Sequence, residues 1–97
     1  MNYYLSPAAH NDIEEIVDYL IKENPNAADK FVDILYESLT LLAENPELGH
    51  YRHDLLVVSN VKFWTFKWHY LVAYKPTDPI EIVRVLSGYR DINKLFH

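Results

Sequence analysis

The sequence contains no cysteine and only two glycines. Without cysteine the chain can form neither a disulfide nor a thiolate metal site, and it has no thiol nucleophile. Its stability must then come from packing, which suits a reducing compartment such as the cytoplasm. An apolar fraction of 49 % with so little glycine and no low-complexity tract is typical of a compact folded domain.

Long apolar runs are missing as well. The longest uninterrupted one covers residues 70–74, far too short to cross a bilayer, and residues 1–7 lack the basic segment and apolar run of a signal peptide. We therefore expect a protein that is neither exported nor membrane-embedded. A chain of 97 residues has room for one hydrophobic core, so we expect a single domain over residues 1–97.

Positive charge is scarce in the first half of the chain. Residues 1–50 carry ten acids against two lysines and sum to −8, whereas residues 51–97 carry seven bases against four acids and sum to +3. A protein that is acidic as a whole repels a phosphate backbone at long range, so we expect no direct sequence-specific binding to nucleic acid. A role in keeping a helix surface solvated explains any single acid. It explains less readily why the acids are concentrated in the first half of the chain.

The first half predicts a short strand and two amphipathic helices. A strand over residues 3–5 precedes Ser6-Pro7, which reads as an N-cap followed by proline at the first helical position. Asn24-Pro25 ends this helix and begins a second one, which Asn45-Pro46 ends. Apolar residues recur at helical spacing in both segments, while acids take the other positions. The prediction is a helical hairpin with an acidic outer surface.

The second half has the composition of a β-sheet. Residues 61–66, 70–75 and 80–86 are rich in β-branched and aromatic side chains and predict three consecutive antiparallel strands, with a turn over residues 76–79. Residues 47–60 fit a loop, a strand or a helical turn, and stay open.

These strands are apolar on both faces. In the last one we expect Ile80 and Ile82 to point to one face and Val83 and Val85 to the other. A helical hairpin covers one face only. The second face is then covered by residues 92–96 or, in the interpretation that we favour, by a partner protein.

Arg84 and Arg90 lie in and just after the last strand. An arginine is always ionised and must find an anionic partner or remain solvated. Arg84, inside a strand, favours a structural role, whereas for Arg90 an ion pair with Asp91 and a contact with a target are equally plausible. His50 and His53 lie three residues apart without further ligands nearby, so we expect neither a metal nor another cofactor.

Four motifs in a fixed order give the chain a family resemblance. They are AADKF at residues 27–31, NPELG at 45–49, YLVAY at 70–74 and IVRVLSGYRDI at 82–92. Together with the predicted elements they resemble the RelE/ParE superfamily of bacterial toxins, and the ParE branch most. The resemblance implies an α+β fold with an N-terminal strand, a helical hairpin, an antiparallel sheet and a short C-terminal helical segment.

The resemblance also implies partners. Such toxins belong to type II toxin–antitoxin modules, some of which stabilise plasmids, and a cognate antitoxin wraps and neutralises the toxin in a cytoplasmic hetero-oligomer. A basic segment with apolar anchors would complement the acidic hairpin. The residues predicted to contact the antitoxin are Asp12, Glu15, Asp33, Glu37, Trp64 and Tyr74.

Two activities occur in the superfamily, and fold alone does not separate them. RelE-like members cleave mRNA on the ribosome, which requires groups that exchange protons and cations on the phosphate. Here Leu71 stands where such nucleases carry an arginine after the tyrosine, and Phe96 falls near the position of a tyrosine hydroxyl. His69 with Lys62 and Lys67 keeps a nuclease open as an alternative.

ParE-like members inhibit DNA gyrase, and this is the reading that the residues favour. On this reading the protein has no catalytic residues and acts by binding. The residues predicted to contact the target are Arg84, Tyr89, Arg90, Lys94 and Phe96. A third possibility is an inactive homologue that only binds the antitoxin.

Overall fold

The computed structural model describes residues 2–51 and 60–87. These fold into two helices and a five-stranded sheet. In chain order the elements are β1 (Tyr3–Leu5), α1 (Pro7–Glu23), α2 (Pro25–Glu44), β2 (His50–Tyr51), β3 (Lys62–Phe66), β4 (Tyr70–Lys75) and β5 (Ile80–Ser87), with 3₁₀ turns at Pro46–Leu48 and Lys67–His69. The predicted α+β class is confirmed, while the predicted C-terminal helical segment lies outside the described residues.

Local capping sets the helix bounds, as the sequence predicts. The Ser6 hydroxyl oxygen accepts a hydrogen bond from the Ala9 N–H at 3.0 Å and so caps α1. Asn24 serves both helices: its backbone N–H donates to the Leu20 carbonyl at 2.6 Å, and its side-chain oxygen accepts from the Ala27 N–H at 3.3 Å. The turn between the helices is therefore a single residue.

The sheet is mixed, with strand order β1-β5-β4-β3-β2. β4 pairs antiparallel with β3 and with β5, as predicted. β1 pairs in parallel with β5, with Tyr3 opposite Ile80 and Leu5 opposite Ile82, a non-local pairing that the sequence pattern does not predict. Residues 47–60, for which the sequence leaves several structures possible, include the short strand β2, which pairs antiparallel with β3.

The alternation expected along β5 is wrong at one point. Ile82 lies opposite Tyr74 and Arg84 lies opposite Ala73, so Val83 has no opposite residue on β4. This β-bulge inserts one residue and reverses the phase of the side chains that follow. Val85 consequently joins Ile80 and Ile82 in one buried cluster, instead of facing away from them.

The main core lies between the helices and one face of the sheet. Aromatic rings bridge α2 to the end of the β3–β4 hairpin: the centroid of Phe31 lies 4.7 Å from that of Tyr70 and 6.1 Å from that of Phe66. The largest side chains of this cluster that are 0 % exposed are Phe31, Leu35, Leu39, Leu42, Val72, Tyr74, Ile80 and Ile82. Their stripe on α2 fixes which face of that helix points outward.

A second buried cluster lies on the strands and contains Val61, Phe63, Leu71, Ala73 and Leu86. These side chains are only 2–8 % exposed in the isolated chain. The favoured interpretation of this face, an open apolar surface that a partner covers, is therefore wrong for these five residues. The segment 92–96, the other predicted cover, lies outside the described residues.

A buried tyrosine hydroxyl ties the exit of α2 to the centre of the sheet. The Tyr74 hydroxyl donates to the Pro46 carbonyl at 2.7 Å and accepts from the Gly49 N–H at 2.8 Å. Burial raises the pKa of Tyr74 above its ordinary value of 10.0, in agreement with a protonated hydroxyl that acts as a donor. Gly49 leaves room for this hydroxyl, since a Cβ there would lie 2.5 Å from it.

Replacing Tyr74 with phenylalanine should destabilise the fold. The ring remains, but the Gly49 N–H and the Pro46 carbonyl lose their partner. We expect the free energy of unfolding to fall by about 1–3 kcal/mol, the cost of a buried polar group left unsatisfied. Urea denaturation followed by circular dichroism measures the change.

Tyr4→Phe is the matched control. It removes a hydroxyl that donates to the Glu81 carboxylate at 3.0 Å on the exposed surface, and should cost less than about 0.5 kcal/mol. Equal losses from Tyr74→Phe and Tyr4→Phe would contradict the role given to the buried hydroxyl.

Asp12 holds α1 against the edge of β5. Its Oδ2 accepts from the Arg84 Nε at 2.7 Å and from the Val85 N–H at 3.0 Å, and its Oδ1 accepts from the Arg84 Nη2 at 2.8 Å. We call this arrangement the Asp12 clamp. The prediction that Asp12 belongs to the acidic outer surface of the helical hairpin is wrong, since the residue is only 7 % exposed.

Removing the carboxylate should destabilise the fold and loosen the edge of β5. Asp12→Ala removes the carboxylate that accepts from the Arg84 guanidinium and from the Val85 N–H. We expect a loss of about 2 kcal/mol, less than for a fully buried pair because the Arg84 side chain is 31 % exposed. Urea denaturation measures the loss, and hydrogen exchange at the Val85 amide should accelerate.

Glu15→Ala on the exposed side of the same helix is the control, with an expected change below about 0.5 kcal/mol. An unchanged Val85 exchange rate in Asp12→Ala would show that the carboxylate does not protect that amide.

Candidate functional site

A shallow groove runs along the outer side of α2. Its lining residues are Val32, Asp33, Tyr36, Glu37 and Thr40. Asp33, Glu37 and Thr40 are exposed, Val32 is half-buried, and the Tyr36 side chain is 40 % exposed. We call this surface the α2 groove. It combines two of the carboxylates predicted to contact a partner with an accessible apolar surface.

The helical periodicity of α2 explains how the groove forms. Residues four apart lie on the same side of a helix, so Val32, Tyr36 and Thr40 make one row and Asp33 and Glu37 make the next. The buried stripe of α2, which includes Phe31 and Leu35, packs on the sheet and leaves Asp33, Tyr36 and Glu37 facing solvent, while Val32 at the start of its row also packs against the core. The groove is therefore a direct consequence of the amphipathic pattern.

The α2 groove is negatively charged, because Asp33 and Glu37 line it. The Cα atoms of Asp33 and Glu37 are about 6 Å apart along the helix axis. Within residues 2–51 and 60–87, neither carboxylate forms an ion pair with a basic side chain. Asp29 continues their row by one more turn toward the start of α2 and is exposed as well.

The other predicted antitoxin contacts are scattered. Glu15 is exposed on α1, where its Oε1 accepts from the Asn11 amide at 3.2 Å. Trp64 is half-buried and packs against the main core. Tyr74 is 0 % exposed and Asp12 is clamped to β5, so the prediction that these two touch a partner directly is wrong for the folded chain. The structure brings only Asp33 and Glu37 together.

Of the residues predicted to contact a target, only Arg84 is described. Two of its guanidinium nitrogens are engaged by the Asp12 carboxylate, in agreement with the structural role that its position in a strand favours. Tyr89, Arg90, Lys94 and Phe96 lie outside the described residues.

The residues of the alternative nuclease set do not converge. Lys62 begins β3, whereas Lys67 and His69 follow the end of that strand. Four residue steps along β3 span about 13 Å. The Lys62 ammonium lies 5.2 Å from the centroid of the Tyr51 ring, at the opposite end of β3 from Lys67 and His69. A single phosphate therefore cannot contact Lys62 and His69 together in this geometry.

In the described part of the chain, no three histidines or acids come close enough together to hold a metal ion. Neither α1 nor α2 is long and apolar enough to cross a membrane.

Val32 fits the apolar stripe of α2 in the sequence and packs against the main core, although it also lines the α2 groove. Sequence reasoning missed two other residues of the groove, Tyr36 and Thr40. The signal that could have found them is their spacing of four residues, directly beside the row of acids. However, which side of the apolar stripe of α2 remains exposed to solvent depends on how the helix packs against other elements.

Comparisons with known proteins place the chain in a family. The sequence model for the ParE toxin of type II toxin–antitoxin systems, parDE, matches residues 3–92. A solved structure described as the chromosomal ParDE TA system from P. aeruginosa has a TM-score of 0.71 at 22 % sequence identity, and the match covers 88 % of this chain and 92 % of that chain. A search of curated protein sequences finds no significant match. Because the family match covers nearly its whole length, the chain belongs to the ParE toxin family of type II toxin–antitoxin systems.

Proposed function

We propose that this toxin inhibits DNA gyrase by binding it, and that a cognate antitoxin neutralises the toxin in a cytoplasmic hetero-oligomer. The observation that carries the proposal is the match of residues 3–92 to the ParE family, the branch of the superfamily that we associate with gyrase inhibition. The similar structure from P. aeruginosa is of a ParDE toxin–antitoxin system, which supports an antitoxin as the partner.

The geometry of the sheet favours binding over RNA cleavage. Cleavage through the 2′-OH needs a proton acceptor, a proton donor and cations around one phosphate. Leu71, which stands where the nucleases carry an arginine, is only 4 % exposed and packs in the second cluster. Of the remaining candidate groups, Lys62 lies at the opposite end of β3 from Lys67 and His69, so the three do not surround one phosphate.

The acidic helices offer a surface for the antitoxin. Glu15, Asp33 and Glu37 are exposed, and the first 50 residues sum to −8. Complementary charge on the antitoxin would accelerate the encounter and fix its orientation. The residues predicted on sequence grounds to contact gyrase are Arg84, Tyr89, Arg90, Lys94 and Phe96, so antitoxin and gyrase would use different charges on the toxin.

Two measurements test the gyrase proposal. Induction of the chain in cells should elicit a DNA-damage response before translation falls, and the purified toxin should inhibit supercoiling by gyrase. Translation arrest with mRNA cleavage, and no effect on supercoiling, would contradict the proposal in favour of a RelE-type nuclease. An absence of growth arrest would point to a homologue that only binds the antitoxin.

Arg90→Ala separates contact from structure. If the guanidinium contacts gyrase, the variant should lose at least about tenfold in supercoiling inhibition, the effect of removing one hydrogen-bonded charge from an interface, at an unchanged melting temperature. Melting and supercoiling are measured on the same preparation. A fall in melting temperature that parallels the loss of inhibition would show that Arg90 acts as an internal ion-pair partner instead.

A further inference from the structure

We propose that Asp12 is a positioning residue for gyrase binding: through the Asp12 clamp it holds the last residues of β5 and so sets the point and direction from which the chain continues to the predicted gyrase contacts. This inference rests on the proposed inhibition of gyrase. It goes beyond that proposal because it gives a functional role to a buried residue of α1, more than 70 positions before the clamped residues of β5.

The last part of β5 has a neighbouring strand on one side only. β4 pairs with β5 as far as Ser87, whereas β1 pairs with it no further than Ile82. Within residues 2–51 and 60–87, no strand continues β1 along this edge. The end of a strand that lacks a neighbour frays more readily than the interior of a sheet. The Asp12 carboxylate accepts from the Val85 N–H on this edge at 3.0 Å, so α1 supplies a hydrogen bond where β1 has ended.

The clamp fixes direction as well as distance. Arg84 donates to both carboxylate oxygens of Asp12, from Nε at 2.7 Å and from Nη2 at 2.8 Å. Such a two-point contact restricts the orientation of the planar guanidinium, which a single hydrogen bond does not. Arg84 and Val85, two consecutive residues of β5, are therefore both held relative to α1.

The predicted gyrase contacts follow the clamped residues closely along the chain. Tyr89 and Arg90 come two and three residues after Ser87, the last residue of β5. Three residues of chain span at most about 11 Å, whatever their conformation. The place of Arg90 is thus limited by the place of Ser87, and any displacement of the end of β5 moves the point from which the contact residues start.

Burial excludes a direct contact between Asp12 and gyrase in the folded toxin. Asp12 is 7 % exposed, and both of its carboxylate oxygens accept hydrogen bonds within the chain. An effect of Asp12 on gyrase binding must then pass through the residues that it holds. A protein whose binding-competent arrangement is populated only in part binds more weakly by that fraction. The clamp keeps this fraction high.

The first experiment compares two variants with similar expected losses of stability, Asp12→Ala and Tyr74→Phe. The Tyr74 hydroxyl bonds Pro46 and Gly49, so its removal leaves the hydrogen bonds of the clamp intact. The toxin concentration that half-inhibits supercoiling by gyrase should rise roughly tenfold in Asp12→Ala and less than about twofold in Tyr74→Phe. Circular dichroism confirms that both variants are folded at the assay temperature. Equal losses of inhibition in the two variants would overturn the positioning role.

Asp12→Asn is the conservative variant. Its amide keeps one acceptor oxygen for the Val85 N–H or for Arg84, but it cannot accept all three hydrogen bonds of the carboxylate. We expect a loss of inhibition between those of the wild type and Asp12→Ala. If Asp12→Ala does not fold, Asp12→Asn decides the question, and wild-type inhibition by this variant would contradict the proposal.

The second experiment asks whether Asp12 acts through the segment that carries Arg90. It compares supercoiling inhibition by Asp12→Ala, by Arg90→Ala and by the double variant. If the clamp serves to place this segment, the two changes are coupled, and the double variant should lose clearly less than the product of the two single losses. A loss equal to that product would show that Asp12 and Arg90 act independently, as expected if Asp12 only stabilises the fold.

Failure of the inference and failure of the proposed function have different readouts. If the wild-type toxin does not inhibit supercoiling, the proposed function is wrong, and the positioning role falls with it. If the wild type inhibits gyrase and Asp12→Ala inhibits as strongly as Tyr74→Phe, only the positioning role is wrong. In that case the Asp12 clamp serves stability alone.

Discussion

The fold depends on how the open edge of β5 is satisfied after β1 ends. β1 covers this edge only as far as Ile82. Beyond that point the first helix and its N-cap residue supply the partners: the Ser6 hydroxyl donates to the Val83 carbonyl at 2.8 Å, and the Asp12 carboxylate accepts from the Val85 N–H and from Arg84. These side chains thus bond backbone groups of β5 that a neighbouring strand would otherwise bond. The position of α1 over the sheet is fixed by these polar contacts as well as by packing.

This edge also explains which parts of the fold the sequence predicts. Helix bounds follow from contacts between residues three or four apart, such as Ser6 with Ala9, so local patterns find them. The Asp12 clamp joins residues that are 72 and 73 positions apart, and no local pattern reveals it. An acid near the start of an amphipathic helix looks like a surface residue until its distant partner is known. The parallel pairing of β1 escapes prediction for the same reason.

The candidate site shows the same contrast between features that follow from local sequence patterns and features that depend on long-range contacts. The family resemblance, carried by four motifs in order, is confirmed, and the exposed acids Asp33 and Glu37 lie where helical periodicity puts them. Tyrosine is a common residue at protein interfaces, but Tyr74 lies in the core, where its hydroxyl bonds the Pro46 carbonyl and the Gly49 N–H. Residue type alone does not separate these cases. Burial does, and burial depends on the β-bulge and the strand register, which are tertiary features.

The single-residue joint at Asn24 has a consequence for recognition. One asparagine caps the end of α1 and the start of α2, and a proline with a restricted φ follows it directly, so the joint between the helices has little conformational freedom. The two helices thus present one preformed surface. The conformational entropy of these helices is lost when the chain folds, not when a ligand binds. The entropic cost of ordering on association therefore comes mainly from the ligand.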